Sequence, residues 1–115
     1  MKTVVIEVGG LDASLAAFAK AWESGEGEPQ ARIRFATFEQ LWKTITPNRW
    51  ALLQVLAGAG AVSIREAARR AGRDVKAVHT DITALVNAGV LDKTAEGITF
   101  PYDSLHVDFM LKEAA

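Results

Sequence analysis

The chain has 115 residues, half of them hydrophobic, with a formal net charge of −1 and no cysteine. That length is enough for one domain with its own core, and that hydrophobic fraction excludes wholesale disorder. The missing cysteine removes disulfide frameworks, thiolate metal sites and thiol catalysis together.

The start, Met1-Lys2-Thr3-Val4-Val5-Ile6-Glu7, lacks the long apolar region of a signal peptide. No run approaches the roughly 20 apolar residues of a membrane span, so a soluble, cytoplasmic protein is expected. Val4, Val5, Ile6 and Val8 predict a β-branched strand ended by Gly9-Gly10. Leu11, Leu15, Phe18 and Trp22 share one face of a helix predicted from Leu11 or Asp12 to Glu23. Ser24 to Pro29 reads as an acidic loop, and Ala31-Arg32-Ile33-Arg34-Phe35 alternates as a second strand that could pair with the first. Residues 1–36 are thus expected to form a strand–helix–strand extension. Its aromatic residues either bury against a second copy or a partner, or complete the monomer core.

Residues 37–115 are expected to form the second unit. Thr37-Phe38 to Ile45 predicts a short helix with Phe38, Leu41, Trp42 and Ile45 on its apolar face. Thr46-Pro47 restarts the chain, threonine as cap and proline at the first helical position. The helix that follows, to about Ala57, is expected to bury Trp50, Leu53, Leu56 and Ala57 before Gly58-Ala59-Gly60 ends it.

Ser63 to Ala88 holds two helix patterns that meet across Ala71-Gly72-Arg73. Ser63 followed three residues later by Glu66 can cap the first turn reciprocally, and Val62 can staple it. Gly72 supplies the left-handed end of the first helix, and Asp74 caps the second. Two short helices joined by a glycine-containing turn are the signature of a helix-turn-helix. On the second helix Val75, Val78, Ile82, Leu85 and Val86 fall on one side. Lys76, Thr80, Thr83 and Asn87 fall on the other, with His79 on the flank and no Asp or Glu among them. An acid-free outer face favours an anionic partner. Gly89 ends the helix. Val90 to Phe100 then reads as a hairpin around Thr94-Ala95-Glu96-Gly97, which makes the whole a winged helix-turn-helix within an α+β fold. Lys93 is the only basic residue of that wing. Leu105, Val107, Phe109 and Leu111 alternate with polar residues in a last, half-buried strand, which pairs either with the N-terminal strands or with another subunit.

Charge is unevenly spread. Residues 31–80 hold nine basic residues against three acids, a net of +6, while residues 1–30 carry −3 and residues 81–115 carry −4. The basic block coincides with the helix-turn-helix, as the footprint of a duplex binder should.

Ile45-Thr46-Pro47-Asn48-Arg49-Trp50, Leu52-Leu53, Ser63-Ile64, Ala67, Gly72-Arg73-Asp74, Val78, Asp81, Leu85, Gly89 and Phe100-Pro101-Tyr102 together resemble the prokaryotic winged-helix DNA-binding regulators. These belong to the wider group of transcriptional regulators with a MarR-like or ArsR-like winged helix. The resemblance covers residues 35–105 and implies that Arg73, Lys76 and Thr80 lie in or beside the major groove. It implies that Asp81 fixes a neighbouring arginine. Some members are encoded beside a small toxin, which implies an antitoxin-like or autoregulatory role.

The expected DNA-binding residues are Ser63, Arg65, Arg69, Arg73, Lys76, His79, Thr80, Thr83 and Lys93. Each has a plainer alternative. Arg73 at the start of the reading helix reaches a guanine edge or salt-bridges to Asp74 or Asp81. Ser63 is a phosphate ligand or only a cap, and Arg70 is open between two faces. His79 and His106 are the only histidines, with no third ligand at metal spacing, so no metal or cofactor is expected. Asp103, Ser104 and His106 supply triad residue types without a glycine elbow or oxyanion loop, so no enzyme is expected. The favoured function is a sequence-specific transcriptional regulator, a homodimer reading a pseudo-palindromic operator in double-stranded DNA with helix 74–88. The rival is an antitoxin-like module that neutralises a co-encoded toxin protein through the acidic N-terminal segment, Phe18 and Trp22.

Overall fold

Valine and isoleucine crowd the first strand because a fully paired, half-buried backbone favours β-branched side chains. In the structure, a computed structural model that describes residues 2–9 and 31–109, this strand is β1 (Thr3–Val8), the centre of a three-stranded sheet. β2 (Ala31–Phe35) and β5 (Ser104–Asp108) flank it, both parallel to β1. The last strand therefore pairs with the N-terminal strand, one of its two expected partners. Val4 and Ile6 point into the core, beside Phe35 of β2 and the half-buried Leu105 and Val107 of β5. The helix expected from Leu11 or Asp12 to Glu23, with Leu11, Leu15, Phe18 and Trp22, lies outside the described residues. So do the loop 24–29 and the strand position Leu111.

Four helices follow β2 among the described residues: α1 (Phe38–Thr44), α2 (Pro47–Leu56), α3 (Ile64–Ala71) and α4 (Val75–Asn87). Each starts where a short polar side chain satisfies orphan N–H groups of the first turn. Thr37 accepts from the Gln40 N–H, Thr46 from Arg49, Ser63 from Glu66, and Asp74 from both Lys76 and Ala77. Gly72 ends α3 at φ 67°, where any residue with a Cβ would be strained. The reciprocal box at α3 is only half made. Glu66 turns its carboxylate to Arg69 and Arg70 on its own helix instead of back to the cap.

α2, α3 and α4 pack on one another around Leu52, Leu53, Leu56, Ala67, Ala68, Val78, Ile82 and Leu85, all buried. These residues join Val4, Ile6 and Phe35 in one cluster, so the sheet and the helices share a core. Three expectations are corrected. Trp50 and Ala57 are exposed, and Leu52 takes the buried place on α2. On α1 only Leu41 and Ile45 are buried, whereas Phe38 and Trp42 face outward, Trp42 at 61% exposure. Val75, the first residue of α4, is also exposed.

A two-stranded hairpin, β3 (Asp92–Thr94) and β4 (Gly97–Thr99), follows α4, with Val90 and Leu91 buried at its root. Its register pairs Thr94 with Gly97 across the two residues Ala95 and Glu96. Ile98 exchanges both backbone hydrogen bonds with Val62, at 2.7 and 2.9 Å. Val62 is therefore a third, one-residue strand of the hairpin as well as the residue before the Ser63 cap. The result is a mixed α+β fold with two small sheets.

Candidate nucleic-acid interface

α4 is buried along Val78, Ile82 and Leu85, and that stripe decides what the rest of the helix presents. Lys76, His79, Thr80, Thr83 and Asn87 are all exposed, together with Val75 and Ala77. The only acid within α4 is Asp81, which is turned away from this face and holds 13% of its side-chain surface in solvent. Thr80 donates its hydroxyl to the Lys76 carbonyl at 3.2 Å, and Thr83 donates to the His79 carbonyl at 2.8 Å. Their hydrogens are thus spent on the backbone. What they offer outward is hydroxyl lone pairs and methyl groups.

Arg73 sits just before α4, and its spacing puts two acids in reach. Asp81 is the one that holds it, with Arg73 Nη1 2.8 Å from Asp81 Oδ2. Asp74 is spent on the helix cap. Asp81 Oδ1 meanwhile accepts from Arg49 Nε at 2.9 Å. Arg49 also donates from Nη1 to the carbonyls of Lys43 and Thr44, the last turn of α1. One carboxylate thus ties the end of α1, the start of α2 and the start of α4. Asp81 thus fixes an arginine, as the resemblance implies, and it holds Arg49 as well as Arg73. The available signal was a lone acid on an otherwise acid-free helix, which needs a cation when half-buried.

The basic block looks different once its pairs are drawn. Of the nine basic residues between 31 and 80, Arg32 and Arg34 pair with Glu7 on the sheet, Arg49 and Arg73 with Asp81, and Arg69 and Arg70 with Glu66. Among the described residues that leaves Lys43, Arg65 and Lys76 of the block without an acid partner, and Arg65 and Lys76 lie in the first turns of α3 and α4. Arg69 is paired but 71% exposed. Hydrogen bonds from two guanidinium groups, first Arg69 and then Arg70, hold the Glu66 carboxyl at about 2, against an ordinary 4.5. Ser63 is exposed and acts as a cap. Lys93 is exposed on β3, between Asp92 and Thr94.

A second surface was not singled out in the sequence. Phe38, Trp42, Trp50 and Phe109 are four of the five exposed large hydrophobic residues among the described ones, and Phe109 meets Phe38 edge-on at 4.7 Å. Between α1, α2 and β5, Trp42, Trp50 and Phe109 line a groove of about 360 Å³ together with Leu41, Ile45 and Val107. Strand alternation predicts Phe109 on the apolar face of the last strand; it lies one residue past the end of β5 and is exposed.

No group of three or more potential metal ligands occurs among the described residues, and none of their helices is long and apolar enough to cross a membrane. No curated protein and no solved structure matches the chain. The family model HVO_A0114 matches residues 44–107, which run from the last residue of α1 through α2, α3, α4 and the hairpin into β5. That is more than half of the chain, and the protein belongs to the HVO_A0114 family.

Proposed function

We propose that this protein is a sequence-specific DNA-binding transcriptional regulator of winged helix-turn-helix type. It acts as a homodimer that reads a pseudo-palindromic operator with helix 74–88. The observation that carries this reading is the open, acid-free outer face of α4, with Lys76 exposed among Thr80, Thr83 and His79. α3 and α4 are the helix-turn-helix and β3–β4 with Val62 the wing. Lys76 reaches a guanine edge or a phosphate, and the threonines offer methyl groups to thymine and oxygen acceptors to base amino groups. Arg65 and Arg69 contact phosphate, and Ser63 orients the first turn of α3. Arg73 works through Asp81, as a strut that sets the angle of α4. Lys93 is the wing's one phosphate ligand, and a weak one, with Asp92 and Glu96 on the same hairpin.

A protein-binding role of the antitoxin kind is the second reading, and the exposed aromatic cluster around Trp42 favours it. Mobility shifts on the protein's own upstream DNA separate the two. Wild type should retard the duplex, and Lys76→Glu should weaken binding by roughly 10- to 100-fold, because a repulsion from phosphate replaces an attraction. Equal retardation by both proteins removes α4 from the interface.

A further inference from the structure

We propose that a second copy of this chain docks along the outer edge of β5, antiparallel and two-fold symmetric about Val107, so that two three-stranded sheets become one. The inference deepens the homodimer reading above and rests on it only for the number of copies, since the edge and its neighbours are described without reference to DNA.

β5 is an outer strand, and among the described residues its far edge pairs with nothing. An open edge offers a row of unpaired N–H and C=O groups to another strand. Side chains then choose the register. Leu105 and Val107 lie on the face packed against the core, whereas His106 and Asp108 are exposed on the other; Phe109, one residue past the strand, meets Phe38 of α1 edge-on. Directly opposed residues of an antiparallel pair share a face, and a slip of one residue would set apolar against charged groups. A two-fold axis at His106 would oppose histidine to histidine, and an axis at Asp108 would oppose two carboxylates. Only the axis at Val107 places His106 opposite Asp108, and it does so twice. The imidazole N–H then donates to a carboxylate that pairs with no cation among the described residues. That carboxylate already lies beside Glu7 in the register of β1 and β5, so a donor on the open side is what it lacks.

The same axis sets Phe109 of one copy opposite Leu105 of the other. Leu105 borders a hollow of about 130 Å³ lined also by Trp50, Leu53 and Phe100, which an aromatic ring can enter. Strand pairing alone buries less than the about 1,200 Å² of a stable interface. The exposed rings of Phe109, Trp50 and Trp42 beside the edge supply the apolar remainder.

The test is sedimentation velocity on the full chain, without DNA, over a wide concentration range. Wild type should form a dimer. His106→Asp and Asp108→His each place like groups across the axis and should raise the dimer Kd roughly tenfold or more. The double variant, His106→Asp with Asp108→His, restores opposite partners and should return Kd close to wild type. Both residues are exposed, so thermal melts of the monomer should not move. A monomer at every concentration would overturn the proposal, as would a dimer indifferent to both single changes or a double variant without rescue. Capture of a co-encoded protein at this edge, lost in Asp108→His, would overturn the choice of a second copy. A dimer that ignores its upstream DNA would remove the regulator reading and leave this interface standing.

Discussion

Arg73 and Asp81 face each other at 2.8 Å across the start of α4, and the other oxygen of the same carboxylate holds Arg49. Three helices are thereby pinned through one side chain. Asp81→Ala would leave two partly buried guanidinium groups without their anion. A loss of about 2–4 kcal/mol in unfolding free energy is expected by urea titration. A loss below about 0.5 kcal/mol, the usual size of a surface change, would mean that the three charges contribute no tether.

Gly97 makes the close approach of the β3–β4 hairpin to Val62 possible. Its φ is 138°, and a Cβ there would come within 2.5 Å of the Val62 carbonyl oxygen. Gly97→Ala must therefore shift backbone against backbone, with an expected cost of about 1–3 kcal/mol. Hydrogen exchange at the Ile98 amide should accelerate in the same variant, because that N–H donates to Val62.

Glu66 carries the clearest pH signature. Its folded-state value of about 2 lies below the ordinary 4.5, so its pairs with Arg69 and Arg70 favour the folded state fully above about pH 4.5. That contribution fades as pH falls toward about 2. Carboxyl NMR titration should find the low midpoint in wild type and a clear rise in Arg69→Gln. A wild-type midpoint near 4.5 would show that the arginines do not hold it.

The two kinds of apolar residue should respond oppositely to truncation. Leu85 is fully buried, and Leu85→Ala should cost about 2–5 kcal/mol. Trp42, at 61% exposure, should lose under about 1 kcal/mol on change to serine when measured on the monomer. A larger loss for Trp42 than for Leu85 would invert the placement of α1.

Local chemistry made much of this legible in the sequence. Thr46, Ser63 and Asp74 each mark a helix start by side-chain capping, a signal contained within four residues. Helical periodicity marked Val78, Ile82 and Leu85 as the buried stripe of α4. What stayed hidden depends on distant partners. Trp42 and Trp50 have the spacing of core residues, yet both flank an open groove whose far wall, Val107 and Phe109, comes from the other end of the chain. The preference of Arg73 for Asp81 over Asp74 turns on a cap that consumes Asp74. Val62 looks like a staple because strand pairing with Ile98, far along the chain, leaves no local trace.

The most direct measurement is an amide NMR titration of the full chain with a duplex from its own upstream region. If the outer face of α4 meets DNA, the largest shifts should fall at Val75, Lys76, His79, Thr80 and Thr83, with smaller ones at Arg65 and Lys93. Raising salt should abolish them together through counterion competition. A duplex that binds while these amides stay still, or that perturbs Trp42 and Phe109 instead, would contradict the assignment.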